Sequence, residues 1–243
     1  MNNTLYSKVN KRRQIWFPVE PTTPEKFAVG TEDFMSRVLA LRHLELPVAD
    51  FITEGLTRSD VSVVGQEGID TLNLNIKDEI RHDAALNNCA KATENYDSKY
   101  ESVVLEQLLK EWNSLSDHPV LKALTLENGI FFLILPYMRK YGGFSTATTA
   151  GDISTDETIH VATHRKFVED LGQRPSAKLN ALRRATVQWI LGDFDDGETN
   201  LNTALETSDN LYLRGIASQL NWTKSASVPC FFEAENGALP YYS

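Results

Sequence analysis

Sulfur is scarce in this chain. Its two cysteines, Cys89 and Cys230 among 243 residues, stand too far apart for any recognised metal-ligand spacing and are too few for a disulfide scaffold. Both are expected to be buried thiols in a reducing compartment. Positive charge is also short: 24 Lys and Arg against 33 Asp and Glu leave a net charge of −9. A phosphate-binding surface needs a clustered excess of cations, so no nucleic-acid partner is expected. The single basic cluster, Lys11-Arg12-Arg13, reads as a solvated tail. Long apolar runs are missing too. The longest, Gly129–Leu135, has seven residues, far below the about 20 needed to span a bilayer. The N-terminus is polar, with no apolar core of signal-peptide length. These absences predict a cytoplasmic protein with no membrane partner. Finally, no segment alternates like a strand, and no repeat of about 20 to 50 residues recurs, which leaves an all-α chain.

What the sequence does contain is helical periodicity, with 42% hydrophobic residues, enough for one sizeable domain. Residues 1–30, with Pro18, Pro21 and Pro24, read as an extended lead-in. Residues 31–220 read as a single helical domain and 221–243 as a tail. The first helix is expected to start near Thr31, with Glu32 and Asp33 in its first turn, where the helix dipole favours acids. Pro47 is expected to bend or end it shortly after Glu45. Further helices are expected over about 66–93, 100–115, 120–141, 147–171, 176–190 and, weakly, 201–220.

Chemistry is suggested by a motif that occurs twice, Glu79-Ile80-Arg81-His82 and Glu157-Thr158-Ile159-His160. Residues three apart share a helix face, so each motif can present a carboxylate and an imidazole to one cation. Two facing motifs, joined by one carboxylate from each of two further helices, would hold a metal pair in a bundle interior. Glu127, 30 residues before Glu157, lies beside the apolar run Gly129-Ile130-Phe131-Phe132, where an unpaired carboxylate would suffer a large desolvation penalty. Glu45 lies 34 residues before Glu79; Asp50 is the alternative. Mixed carboxylate and imidazole donors suit iron and manganese, in the pairings Fe/Fe, Mn/Fe or Mn/Mn. His43, His118 and His164 read as surface residues or supports of the ligands, with His164 singled out because it follows His160 by one turn.

Several of these residues form a familiar pattern. Glu127, Gly129-Ile130-Phe131-Phe132, Gly142-Gly143 and Asp156-Glu157-Thr158-Ile159-His160 resemble the small subunit of class I ribonucleotide reductase, with Asn128 as one extra residue between the Glu and the Gly. Phe34-x-Ser36 followed by Glu45 resembles that family's first ligand helix and favours Glu45 over Asp50. Trp16-Phe17-Pro18-Val19-Glu20 resembles its aromatic lead-in. The resemblance covers roughly residues 14–170. It implies a ferritin-like bundle with a di-metal carboxylate centre, and a route for an electron or radical through Trp16, Asp156 and His82. An Asp that orients a metal-bound imidazole through its second nitrogen makes independent physical sense. The resemblance also implies a large catalytic subunit as partner, and a homodimer, which is the commonest assembly in any case. Two departures stand out. Leu86 occupies the position of the family's radical-storing tyrosine, so the metal pair, or another tyrosine such as Tyr96 or Tyr137, would have to serve. Only 83 residues follow His160, and the ending with Tyr241 and Tyr242 reads either as a docking tail with a relay tyrosine or as a frayed terminus.

Four functions compete on these grounds. The first is oxygen activation that supplies an oxidant to a reductase large subunit. The second is a stand-alone di-metal oxygenase or oxidase, similar in motif order to aldehyde-deformylating oxygenase and N-oxygenase enzymes, with an apolar substrate channel beside Leu86 and Phe131. The third is iron binding without turnover, as in ferritin-like cages. The fourth is a structural bundle in which the motifs are coincidental.

Overall fold

The computed structural model describes residues 4–220, and side chains as far as residue 212. The described residues are all helical and contain no strand; a lone parallel bridge joins Glu25 to Thr93. The elements are α1 (Leu5–Asn10), α2 (Glu32–Ala40), α3 (Glu45–Leu56), α4 (Gly65–Ala92), α5 (Lys99–Val103), α6 (Leu109–Ser114), α7 (Pro119–Leu126), α8 (Phe132–Tyr141), α9 (Phe144–Asp170), α10 (Ala177–Leu191) and α11 (Leu201–Leu220).

Five of these, with α7 and α8 following one another across a single turn, form the bundle that matters. Helix α3 packs on α4 and α7, α4 packs on α9, and α9 packs on α7 and α8. Helices α10 and α11 pack on each other and flank the turn between α7 and α8. Phe34, Phe131, Phe167, Trp112, Leu72 and Leu86 are among the largest fully buried side chains, and burying such a residue stabilises by about 1.5–3 kcal/mol.

Pro47 does not end its helix. The break falls earlier, in a 3-10 turn over Leu41–Leu44, and α3 then starts at Glu45 and runs through Pro47 to Leu56. Pro47 therefore sits in the first turn, where a backbone N–H has no intrahelical acceptor to lose. The lead-in is not wholly extended either. Thr4 caps α1 by accepting from the Ser7 N–H, and Tyr6 and Val9 are buried. Nor is the basic cluster a solvated tail throughout: Arg13 donates to Asp78, to Asn75 and to the Thr71 carbonyl of α4. The chain from Pro119 to Tyr141 has the length and hydropathy of a membrane span, but it is mostly buried inside the protein. Its apolar character is what a central bundle helix requires.

That central helix is not uniform. Between α7 and α8 the residues Glu127–Phe131 form a π-helical turn, the usual way for a helix to absorb one inserted residue, and often a mark of a functional site. Asn128 lies inside it, and its amide donates to the Leu211 carbonyl of α11 at 2.5 Å. Gly129 follows because a Cβ there would come within 2.6 Å of Arg183 Cδ. Only glycine lets that buried side chain lie across the turn.

Candidate metal centre

Six side chains converge inside the bundle. Glu45 opens α3, Glu79 and His82 lie midway along α4, Glu127 opens the π turn, and Glu157 and His160 lie midway along α9. All are fully buried except Glu45, which is 2% exposed. Asp50 is exposed on α3, so the structure brings in Glu45 and leaves Asp50 out. His82 Nδ1 lies 3.6 Å from Glu45 Oε2, 3.6 Å from Glu79 Oε2 and 3.5 Å from Glu157 Oε1. His160 Nδ1 lies 2.7 Å from Glu79 Oε1, 3.6 Å from Glu127 Oε1 and 3.7 Å from Glu157 Oε1. Glu79 and Glu157 thus face both imidazoles, whereas Glu45 faces only His82 and Glu127 only His160.

The orientation of each imidazole is fixed from behind. His82 Nε2 donates to Asp156 Oδ2 at 3.2 Å, and His160 Nε2 donates to Asp78 Oδ2 at 3.1 Å. A neutral imidazole with its proton on Nε2 has a bare Nδ1, and in both residues that nitrogen points into the carboxylate cage. The supports cross over: Asp78 of α4 holds the histidine of α9, and Asp156 of α9 holds the histidine of α4. Arg81 ties the two together, donating to Asp78 Oδ1 at 2.7 Å and to Asp156 Oδ2 at 2.8 Å.

Beyond Asp156 the contacts reach outward. Trp16 Nε1 donates to Asp156 Oδ2 at 2.8 Å. The indole lies 6.0 Å from the His82 ring at an interplanar angle of 12°, with Arg81 4.8 Å from its centroid. The Asp78 side ends instead on Arg13.

Eight buried atoms of the cage lack a hydrogen-bond partner: Glu45 Oε2, both oxygens of Glu79 and of Glu157, Glu127 Oε1, and Nδ1 of His82 and of His160. Native interiors tolerate few such atoms, and these eight are concentrated in one cluster, whereas the others among the described residues are scattered singly. The charge is equally unbalanced. Burial, and then repulsion from Glu157, Glu79 and Glu45, pushes the Glu127 carboxyl well above its ordinary value. Burial also lifts Glu45 and Glu157, against the pull of His82. Burial opposes charge on His160, but Glu79 and Asp78 outweigh it and raise its pKa to about 9. Glu79 is held low, because His160 and His82 overcome the effect of its burial. Asp156, despite burial, is drawn down to about 2 by His82, Arg81 and Trp16. A buried group of Glu79, His82, Glu157 and His160, with donor atoms within 4.8 Å of one another, could hold a metal ion.

Of the remaining histidines, His118 departs from expectation. His118 is 4% exposed and caps α7, its Nδ1 accepting from the Val120 N–H at 3.3 Å. His43 pairs with Glu101 at 3.2 Å. His164 is fully buried, with Nδ1 2.5 Å from Glu127 Oε2; burial and His160 hold its pKa down at about 3. Leu86 and Phe131, at 2% and 1% exposure, belong to the closed core. Tyr96 is fixed between Arg42 and Glu101, and Tyr137 packs against Phe34 with ring centroids 5.3 Å apart. Tyr241, Tyr242, Cys230 and the tail 221–243 lie outside the described residues.

Motif spacing alone does not mark Asp78, Arg81 and Arg13 as supports of the site. A signal exists for the first: an Asp directly precedes both motifs, as Asp78-Glu79 and Asp156-Glu157. No protein-family model, curated protein or solved structure matches the chain.

Proposed function

We propose that the buried cage holds two metal ions, iron or manganese, and that the protein is a ribonucleotide reductase small-subunit-like oxidoreductase that delivers an oxidising equivalent to a large-subunit partner. The observation that carries the reading is the set of eight unpartnered donor atoms in a fully buried cluster. Four carboxylates carry four negative charges, which two divalent cations would balance, whereas burying uncompensated charge costs several kcal/mol per ion. In this reading Glu45 and His82 would hold one ion and Glu127 and His160 the other, with Glu79 and Glu157, which face both imidazoles, available to both. When bound, such a pair supplies oxidation driven by dioxygen.

The rest is the work of the chain itself. Asp156 and Asp78 hold His82 and His160 by Nε2, so that each Nδ1 faces the cage and would be the nitrogen offered to a cation once deprotonated. Leu86 and Phe131 belong to the closed apolar core. His82, Asp156 and the half-buried Trp16 form a continuous contact from the cage toward the exterior, a path along which an electron can enter. That path, together with the packed surroundings of Leu86, favours delivery to a partner over a small apolar substrate bound beside the metals. With Leu86 in place of a tyrosine, no radical is stored at that position.

The test begins with iron and manganese per purified chain. Two ions are expected, saturably bound, and their absence rejects the reading. Trp16→Phe should then leave the metal content unchanged while slowing, by tenfold or more, the uptake of the extra electron from an external reductant during reoxidation by oxygen. An unchanged rate removes Trp16 from the path, and with it the support for a partner-serving role.

A further inference from the structure

One fully buried imidazole stands outside the proposed ligand set. His164 touches the cage only through Glu127 Oε2, at 2.5 Å from Nδ1, and its Nε2 lies 3.2 Å from Asn75 Nδ2. The direction of these bonds is set by Arg13. A guanidinium can only donate, and Arg13 Nη2 donates to Asn75 Oδ1, which turns the Asn75 amide nitrogen toward His164. That nitrogen also only donates, so His164 Nε2 must be the bare acceptor. The ring proton then sits on Nδ1 and points at Glu127 Oε2.

His82 and His160 are placed the other way round, with Nε2 on Asp156 and Asp78 and Nδ1 facing the cage. We propose that His164 is a positioning residue: the relay Arg13–Asn75–His164 holds Glu127 Oε2 away from the cage, so that Glu127 offers its metal a single oxygen, Oε1. The orphan status of Oε1, against the satisfied Oε2, is the same asymmetry seen from the carboxylate. The inference rests on the two-metal reading. Its consequence is that an ion bound beside His160 would receive one oxygen from Glu127 rather than two, which would leave room for a small exogenous ligand. His164, engaged on both nitrogens, is not itself a ligand.

The test uses the full chain loaded with zinc, which is diamagnetic, and then with cobalt. Long-range proton–nitrogen correlation spectra of histidine-labelled zinc protein, with His164 assigned by its loss in His164→Gln, should show His164 as the Nδ1–H tautomer and His82 and His160 as Nε2–H. Cobalt-loaded His164→Leu should bind two ions and show a severalfold fall in visible ligand-field absorption, because a freed Oε2 raises the coordination number. His164→Gln, whose amide can still donate to Oε2, should restore the wild-type spectrum. An Nε2–H or metal-bound His164 overturns the proposal. So does a cobalt spectrum unmoved by His164→Leu, or loss of an ion from that variant. If His164→Leu does not fold, the tautomer in the wild-type protein decides alone. Wild-type protein that takes up neither zinc nor cobalt overturns the metal reading itself, an outcome recognised before any variant is made.

Discussion

Replacing Glu127 by Gln should move stability in opposite directions with and without metal. Glu127 is fully buried, and burial plus its carboxylate neighbours raise its pKa well above 4.5. A raised carboxyl pKa contributes stability that is complete below the unfolded value and is lost as pH climbs through the folded one. At pH 7 the loss is bounded by the cost of protonating the group, about 2.5 pH units at 1.36 kcal/mol each, or about 3 kcal/mol. Gln is uncharged and close in shape, and its amide oxygen can still accept from His164. Metal-free Glu127→Gln is therefore expected to be more stable than wild type at pH 7, by up to about 3 kcal/mol, with the gain shrinking to nothing near pH 4.5. For a chain of this size that is about 2–4 °C in Tm per kcal/mol. In metal the order reverses. The variant should bind one ion instead of two, and at a metal concentration about 1,000-fold above Kd the missing ion forfeits about 4.1 kcal/mol, more than the metal-free gain. Calorimetry from pH 4.5 to 7 in chelator, and again in excess manganese, with metal counted per chain, reads both signs. A metal-free variant less stable than wild type at pH 7, as an ordinary core deletion would be, refutes the argument. Retention of both ions refutes it equally.

Asp156→Asn takes the charge from the acceptor shared by His82, Arg81 and Trp16. It should weaken metal binding by roughly 10–100-fold, and competition with a chelator of known affinity would expose an unaffected site. His160, held at about 9 rather than 6.5, is protonated in the metal-free protein at pH 7.5 and must lose that proton to bind. Loading should therefore release protons, and affinity should climb as pH rises toward 9; titration calorimetry in buffers of different ionisation enthalpy settles the sign. Deleting Asn128 removes the residue inserted at the π turn and rotates α8 by about 100° relative to Glu127. Far-UV helicity should persist while two-metal binding is lost, and survival of both ions would show that the turn does not place Glu127.

The parts of this arrangement written in local spacing are readable from sequence. An i, i+3 Glu and His must share a helix face, and Glu127 beside Ile130 and Phe131 has to be buried. Apolar periodicity places helices α4 and α9 to within a few residues. What escapes depends on partners far along the chain. Pro47 looks like a terminator because nothing local reveals that the preceding 3-10 turn has already ended α2. Arg13 looks solvated because its acceptors, Asp78, Asn75 and Thr71, lie about 60 residues away on α4. Asp78 looks like an ordinary surface acid because its acceptor role is to a histidine 82 positions later. The π turn is visible only as the one-residue misfit at Asn128.

The crossed Asp–His pairs also bear on mechanics. Helices α4 and α9, the two longest among the described residues, are bolted to each other twice at the same level, once in each direction. A slip of a single residue along the axis, about 1.5 Å, would strain both bolts together, so the register of these helices and the placement of the cage's imidazoles cannot be tuned separately. Occupancy should therefore slow amide exchange along the whole length of both rods. Loosening their packing even several turns from the cage should surface as poorer cation retention.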